Sequence, residues 1–312
     1  LERLRDMPGQ VAYVTLSPYL ARQAESLYAR GGSGSMEHEP DFLSLSEVLE
    51  SLQVPRGREV TFQHFSAWFA RHRATHRHLE GHALFEEIRG VITSPATGPL
   101  GLEAYLALGV RQSLYSEEER ASVYGLFLKY REWLTAENLY DPNLAAFERL
   151  PLTRPVYDAL VVDEVQDLTP VQLTLLIRHL KDPSNLLLCG DANQVVHPNF
   201  FSWAAVRGLF WQRDPVVKGP VRTEISVLNA NYRNAREITR VSNRLLKIRV
   251  ARFGSIDRES NHLVQATTEQ EGRIELIGPD PATLARLDEA VRKNVDFAVI
   301  VLRDEDKARA RQ

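Results

Sequence analysis

Apolar residues gather in short unbroken runs at Val11-Ala-Tyr-Val-Thr-Leu16, Ala159-Leu-Val-Val162 and Asn185-Leu-Leu-Leu-Cys189. Strands that are apolar on both faces belong inside a parallel sheet covered by helices, so each run predicts a buried strand. The first passes through Ser17 into the three- and four-residue spacing of Leu20, Ala24 and Leu27, which predicts strand then helix. Asp41-Phe-Leu-Ser-Leu45 and Glu59-Val-Thr-Phe62 read as further short strands. From about Phe65 to Leu150 the spacing is helical. There Ser116-Glu-Glu-Glu119 matches a capping box ahead of Val123, Leu126, Phe127, Tyr130, Trp133 and Leu134, which share one helix face and read as core. Thr169-Pro170 predicts the start of a helix between the second and third runs, since proline suits the first helical turn. The resulting class is α/β: a parallel sheet with helices on both faces, interrupted by a helical insertion.

A second strand set follows at Glu224-Ile-Ser-Val-Leu228, Arg273-Ile-Glu-Leu-Ile277 and Phe297-Ala-Val-Ile-Val-Leu302. Between its members, Asn234 with Glu237 predicts a capped helix carrying Ile238, Val241, Leu245 and Leu246. Pro215, Gly219 and Pro220 break the pattern and place a boundary between Asp214 and Thr223. The organisation expected is therefore 1–64 and 151–214 as two parts of one sheet domain, 65–150 as the insertion, and 223–312 as a second domain. Gly31-Gly-Ser-Gly-Ser35 reads as a flexible stretch, either a surface loop or an artificial joint.

Composition narrows the partners. The chain has 312 residues, 44% hydrophobic and 25% charged, the balance of a globular protein of about this domain count. No run approaches the ~18 apolar residues of a membrane span and no secretory signal opens the chain, so a cytoplasmic protein without a membrane partner is expected. One cysteine, Cys189, excludes an internal disulfide and a cysteine-based zinc site. Lys+Arg 38 against Asp+Glu 41 leaves a net charge of -3, so any nucleic-acid contact is local rather than a global basic field. None of the lysines, 129, 181, 218, 247, 293 and 307, completes a G-x-x-x-x-G-K-[ST] phosphate loop.

Candidate chemistry sits at the ends of the apolar runs. Asp163-Glu-Val-Gln-Asp167 follows one strand, and paired carboxylates there can divide into a Mg²⁺ holder and a base for an attacking water, or simply cap the next helix. Gly190-Asp-Ala-Asn-Gln194 follows the next strand, where Gln194 can reach the same crevice or merely close a turn. Leu228-Asn-Ala-Asn-Tyr-Arg233 ends the first strand of the second domain. Arg233 suits phosphate and Tyr232 suits a base, with ion pairing and packing as the plainer readings. Arg71-His-Arg-Ala-Thr-His-Arg-His78 is a basic stretch preceded by Phe65, Trp68 and Phe69, a pattern of nucleic-acid backbone contact or of a solvated helix end. A metal nuclease using Asp163, Glu164, Asp167 and Asp191 would leave Gln194 and Arg233 without a task.

In this order, Asp163-Glu-Val-Gln-Asp-Leu-Thr-Pro170, Gly190-Asp-Ala-Asn-Gln194 and Asn231-Tyr-Arg233 resemble motifs II, III and IV of superfamily 1A helicases of the UvrD/Rep type. Val14-Thr-Leu-Ser17 is similar to motif Ia, Val60-Thr-Phe-Gln-His64 to the next DNA-contacting motif, and the helical block to the 1B insertion. The resemblance implies a RecA-like domain 1A, the start of a RecA-like domain 2A, and an ATP-dependent helicase or translocase working with Mg²⁺ on single-stranded or partial duplex DNA, with DNA repair as its setting. By the same resemblance Asp163 holds Mg²⁺, Glu164 is the general base and Gln194 couples the γ-phosphate to DNA movement. Tyr232 stacks on adenine, Arg233 contacts the γ-phosphate, and Thr15, Ser17, Thr61 and His64 line the single-strand track. The continuation Val195-Val-His-Pro-Asn-Phe-Phe-Ser-Trp203 departs from the family pattern. Phe200, Phe201 and Trp203 stand there either as a base-stacking platform or as a hydrophobic plug. With no phosphate loop and no later motifs, the chain reads as a fragment of a longer helicase-like protein that binds ATP weakly or not at all alone, and a non-catalytic helicase-like binding module is the rival expectation.

Overall fold

In the computed structural model the described residues are 1, 4, 7, 9–31, 39–110, 112–195, 203–211, 225–254, 262–278, 280–293 and 298–301. A four-stranded, fully parallel sheet is built from β1 (Val11–Thr15), β2 (Asp41–Ser44), β5 (Ala159–Val162) and β6 (Leu186–Leu188), in the spatial order β2-β1-β5-β6. Val14 pairs with Val162, and Val162 with Leu188, so the carboxyl ends of the three strands from β1 to β6 lie level. The two-residue strands β3 (Arg58–Glu59) and β4 (Leu139–Tyr140) pair with each other instead.

Strand alternation explains why the runs are apolar on both faces. Ala12, Val14, Leu160 and Val162 point into one core, and Val11, Tyr13, Ala159 and Val161 into another on the opposite face. The first face is covered by α2 (Leu45–Leu52), α7 (Pro142–Arg149) and α8 (Pro170–Ile177), which contribute Val48, Leu49, Ala145, Ala146, Val171 and Leu175. The second receives Ala24 of α1 (Pro18–Arg30) and Leu4. Of the three positions read as the buried stripe of α1, only Ala24 is buried; Ala21 replaces Leu20 and Leu27, which are exposed.

The helical block has its own core, from Val60 to Leu139. It contains α3 (Phe62–Ala70), α4 (Gly81–Glu87) running into a π-helical turn at Ile88–Ile92, α5 (Leu102–Leu106) and α6 (Glu117–Ala136). The Ser116–Glu119 capping box forms, and all six expected core positions of α6 are buried. Two boundaries differ from expectation. The segment read as a strand over 59–62 pairs only through Glu59, because the Thr61 side chain accepts from the His64 amide and turns the chain into α3. The block also ends at β4 rather than Leu150, since α7 packs into the sheet core. Asn143, fully buried at the start of α7, joins the two regions. Its amide donates to Arg89 O (2.8 Å) and Thr93 Oγ1 (3.0 Å), and its oxygen accepts from Thr169 Oγ1 (2.7 Å) and Gln172 Nε2 (2.8 Å).

Contacts divide the chain into two units, one of Leu1–Val227 with Arg249–His262 and one of Leu228–Ile248 with Leu263–Gln312. The first also contains α9 (Trp203–Trp211), whose Val206 joins the sheet core. In the second, β7 (Ala230–Asn231) pairs in parallel with β8 (Gln265–Ala266) beside α10 (Arg236–Phe253), which belongs to this unit as far as Ile248, and α11 (Pro281–Lys293) follows. The second strand set is thinner than expected: residues 225–229, 273–277 and 298–301 are irregular, while Glu224, Phe297 and Leu302 lie outside the described residues. The capping of α10 also differs. Its first amides, of Arg236 and Glu237, donate to the carbonyls of Gln270 and Glu271, and the Glu237 carboxylate pairs with Arg240, leaving no reciprocal box with Asn234. The expected boundary at 214–223 lies outside the described residues.

Candidate functional site

The chain steps from β1 outward to β2, then returns on the other side of β1 to form β5 and β6. Such a reversal opens a crevice at the carboxyl ends of the two strands flanking it, here β1 and β5. Asp163 is the first residue beyond β5, and its amide still donates to Val14 O (2.9 Å). Both of its carboxylate oxygens are engaged: Oδ1 accepts from the Glu164 amide (3.0 Å) and Oδ2 from the Tyr13 hydroxyl. Burial, and then this hydrogen bond to a carboxylate, push the Tyr13 phenol well above its ordinary range, so it remains a donor. Tyr13, in mid-strand, thereby fixes the rotamer of Asp163.

Glu164 adopts left-handed backbone, φ 51° and ψ 42°. A side chain there costs on the order of 1 kcal/mol or more and persists only where the surroundings over-determine it, as they do at functional sites. The surroundings here are specific. Val165 N donates to Cys189 O (3.0 Å), and the buried Gln166 side chain donates from Nε2 to Glu164 Oε2 (2.6 Å) while its Oε1 accepts from the Asp191 amide (3.0 Å). Gly190 makes this approach possible, because a Cβ there would lie 2.6 Å from Gln166 Oε1 and 2.8 Å from Val165 Cγ1. Beyond it, Asp191 Oδ1 accepts from the Asn193 amide (2.8 Å) and Oδ2 from Gln194 Nε2 (3.0 Å). The acidic segment and the glutamine turn are thus one hydrogen-bonded assembly at adjacent strand ends.

On the α1 side of the sheet a depression of about 290 Å³ is floored by Tyr13, Val161 and Leu187 and rimmed by Asp163, Glu164 and Cys189. Burial, and then the charge of Asp163, raise the Cys189 thiol above its usual range, so it is protonated and a poor nucleophile at neutral pH. Among the described residues no cluster of three or more His, Cys, Asp or Glu side chains is placed to hold a metal ion, and no helix is long and apolar enough to cross a membrane.

The other candidates divide by environment. Thr15 is fully buried, and its Oγ1 has no hydrogen-bond partner among the described residues, so it offers no exposed hydroxyl. Ser17 caps α1 by accepting from Leu20 N, and Thr61 with His64 forms the capping box of α3. Trp203 packs against the sheet core at the start of α9, while Phe200 and Phe201 lie outside the described residues. In the second unit, Asn231 Oδ1 accepts from the amides of Arg233 (3.1 Å) and Asn234 (2.9 Å), a turn that leaves Tyr232 80% exposed. Arg233 is exposed as well and enters no ion pair among the described residues. Of the basic stretch, Arg71, Arg73, Arg77 and His78 are exposed, whereas Phe65, Trp68 and Phe69 are buried in the block's core and present no stacking face.

Sequence reasoning missed Tyr13, Gln166 and Asn143 as parts of this region. Gln166 had a signal, a glutamine inside an acidic strand-end turn; Tyr13 and Asn143 had none beyond being polar groups in apolar surroundings. Fold and site together define an α/β protein with an acidic, hydrogen-bonded site at the carboxyl edge of a parallel sheet. No family model matches the chain. A human protein, TPR and ankyrin repeat-containing protein 1, is 29% identical over 120 residues, and the match covers 36% of this chain. The chain spans only 4% of the length of that relative.

Proposed function

We propose that the chain belongs to the nucleotide-hydrolysing core of a superfamily 1A (UvrD/Rep-like) helicase or translocase acting on single-stranded DNA, with a RecA-like sheet domain. The observation that carries the reading is the joined pair of strand-end turns, Asp163-Glu164 after β5 and Asp191–Gln194 after β6, at the reversal of a parallel sheet. The donor set fits Mg²⁺ bound in its usual way, through one or two carboxylates, waters and substrate phosphate, rather than in an all-protein cage. Asp163 would hold the ion, and Mg²⁺ bound with ATP would neutralise charge developing on the phosphates. Glu164 would orient the attacking water and take its proton, held at its post by left-handed backbone and the Gln166 amide. Gln194, linked to Asp191, would sense the terminal phosphate. The roles of Tyr232 and Arg233 require a ring and a guanidinium open to solvent, and both residues are exposed.

Glu164→Gln tests this in the full-length gene product. ATP turnover stimulated by single-stranded DNA should fall by at least about 100-fold while nucleotide binding persists; unchanged turnover removes Glu164 from the base role. One observation favours a second reading, a helicase-shaped binding module without hydrolysis: no G-x-x-x-x-G-K-[ST] occurs in the chain. DNA binding with no ATP turnover by the full-length gene product would select it.

A further inference from the structure

We propose that Gln166 and Asp191 form a relay that holds Glu164 in register with Gln194, making Gln166 a positioning residue for the site. Four side chains and one backbone amide form an unbroken series. Gln194 Nε2 donates to Asp191 Oδ2 (3.0 Å), the Asp191 amide donates to Gln166 Oε1 (3.0 Å), and Gln166 Nε2 donates to Glu164 Oε2 (2.6 Å). The orientation of the Gln166 amide is chemically forced. A backbone N–H faces one end and a carboxylate the other, so only oxygen toward Asp191 and nitrogen toward Glu164 satisfies both. Gln166 is 2% exposed, so water does not readily replace either partner. The relay joins two loops whose backbones are also tied, by Val165 N to Cys189 O (3.0 Å), and Gly190 leaves it room. Any shift of the Gln194 turn therefore pulls on the amide that fixes Glu164, and a shift of Glu164 is felt at Gln194.

The kinetic consequence rests on the hydrolytic reading above; the structural one does not. Two substitutions separate holding from packing. Gln166→Ala removes both arms. Gln166→Glu keeps a carboxylate oxygen for the Asp191 amide but sets it against Glu164 where a donor stood. Amide hydrogen exchange of the protein should show Asp191 N–H exchanging at least about 10-fold faster in Gln166→Ala and near the wild-type rate in Gln166→Glu. In ATP hydrolysis by the full-length gene product, both substitutions should lower kcat by about 10- to 100-fold with KM within about two-fold, the signature of a misplaced group rather than lost binding. Combining Gln166→Ala with Gln194→Ala should cost no more than the worse single change, because either one disconnects the same series. Unchanged Asp191 exchange in Gln166→Ala overturns the bridge. Wild-type kcat in Gln166→Glu, or effects that multiply in the double variant, overturn the coupling. Absence of ATP turnover in the unmodified protein counts against the hydrolytic reading alone, and the exchange measurement still decides the bridge.

Discussion

Asn143 offers the sharpest test of how the helical block is fastened to the sheet. Its side chain is fully buried and uses both donors and both acceptor lone pairs, toward Arg89 and Thr93 on one side and Thr169 and Gln172 on the other. Thr169 and Gln172 form the capping box of α8, the helix that follows the acidic segment. Asn143→Ala strands the Thr169 hydroxyl and the Gln172 amide, each a buried donor worth about 1–3 kcal/mol when unsatisfied. Thr93 loses less, because its hydroxyl still donates to Ile88 O (2.9 Å). Adding a small void, the expected loss is about 3–5 kcal/mol. Asn143→Asp should be no better, since its second oxygen would face the Arg89 carbonyl and carry an unpaired buried charge. Urea unfolding followed by the fluorescence of Trp68 and Trp133, both in the block's core, reads the change directly. A loss below about 1 kcal/mol in Asn143→Ala would refute the fastening argument.

Tyr13→Phe removes the donor that fixes Asp163 and should weaken Mg²⁺-nucleotide binding by the full-length gene product about 10-fold in calorimetry; unaltered affinity would detach Tyr13 from the site. Burial holds the His179 imidazole below its ordinary pKa, with Nδ1–H donating to Leu175 O (2.8 Å), so the unfolded chain protonates first as pH falls. Its contribution to stability is full above about pH 6.5 and lost on acidification through the folded-state value; His179→Leu should flatten that acid limb in pH-dependent urea melts. Arg71, Arg73, Arg77 and Lys129 are exposed and enter no ion pair among the described residues. If they contact a nucleic-acid backbone, replacing all four by Gln should reduce the slope of log K against log salt by about 3, and an unchanged slope would make the stretch a solvated helix end.

Legibility followed the range of the interaction. The runs at 11–16, 159–162 and 185–189 announced β1, β5 and β6 because strands buried on both faces need no partner information to be recognised. The box at Ser116 and the proline-led helix start at Thr169 were equally local, and at Thr169 the structure adds a box with Gln172 that sequence reasoning missed. Failures came where a short segment satisfied two patterns. Val60-Thr-Phe alternates like a strand, yet Thr61 followed three residues later by His64 is also a cap, and the cap won because β3 has only β4 to pair with. Arg273–Ile277 alternates too, but it enters no ladder, and an isolated alternating run has no sheet to reward it.

The site divides along the same line. Asp163, Glu164 and Gln194 were legible as residue types following apolar runs, whereas the bond that unites them joins Gln166 to Asp191 across 25 positions and depends on the register of β5 against β6. That register explains the glycine at 190. The β6 chain must pass close enough for its next amide to reach a side chain rooted beyond β5, and any Cβ would occupy the space of Gln166 Oε1. It explains the left-handed Glu164 as well. Only by reversing there does the chain bring Val165 N to Cys189 O and turn the Glu164 carboxylate back onto Gln166. Glycine, left-handed glutamate and buried glutamine are therefore one requirement expressed three times, and a substitution at any of them should be read in the behaviour of the other two.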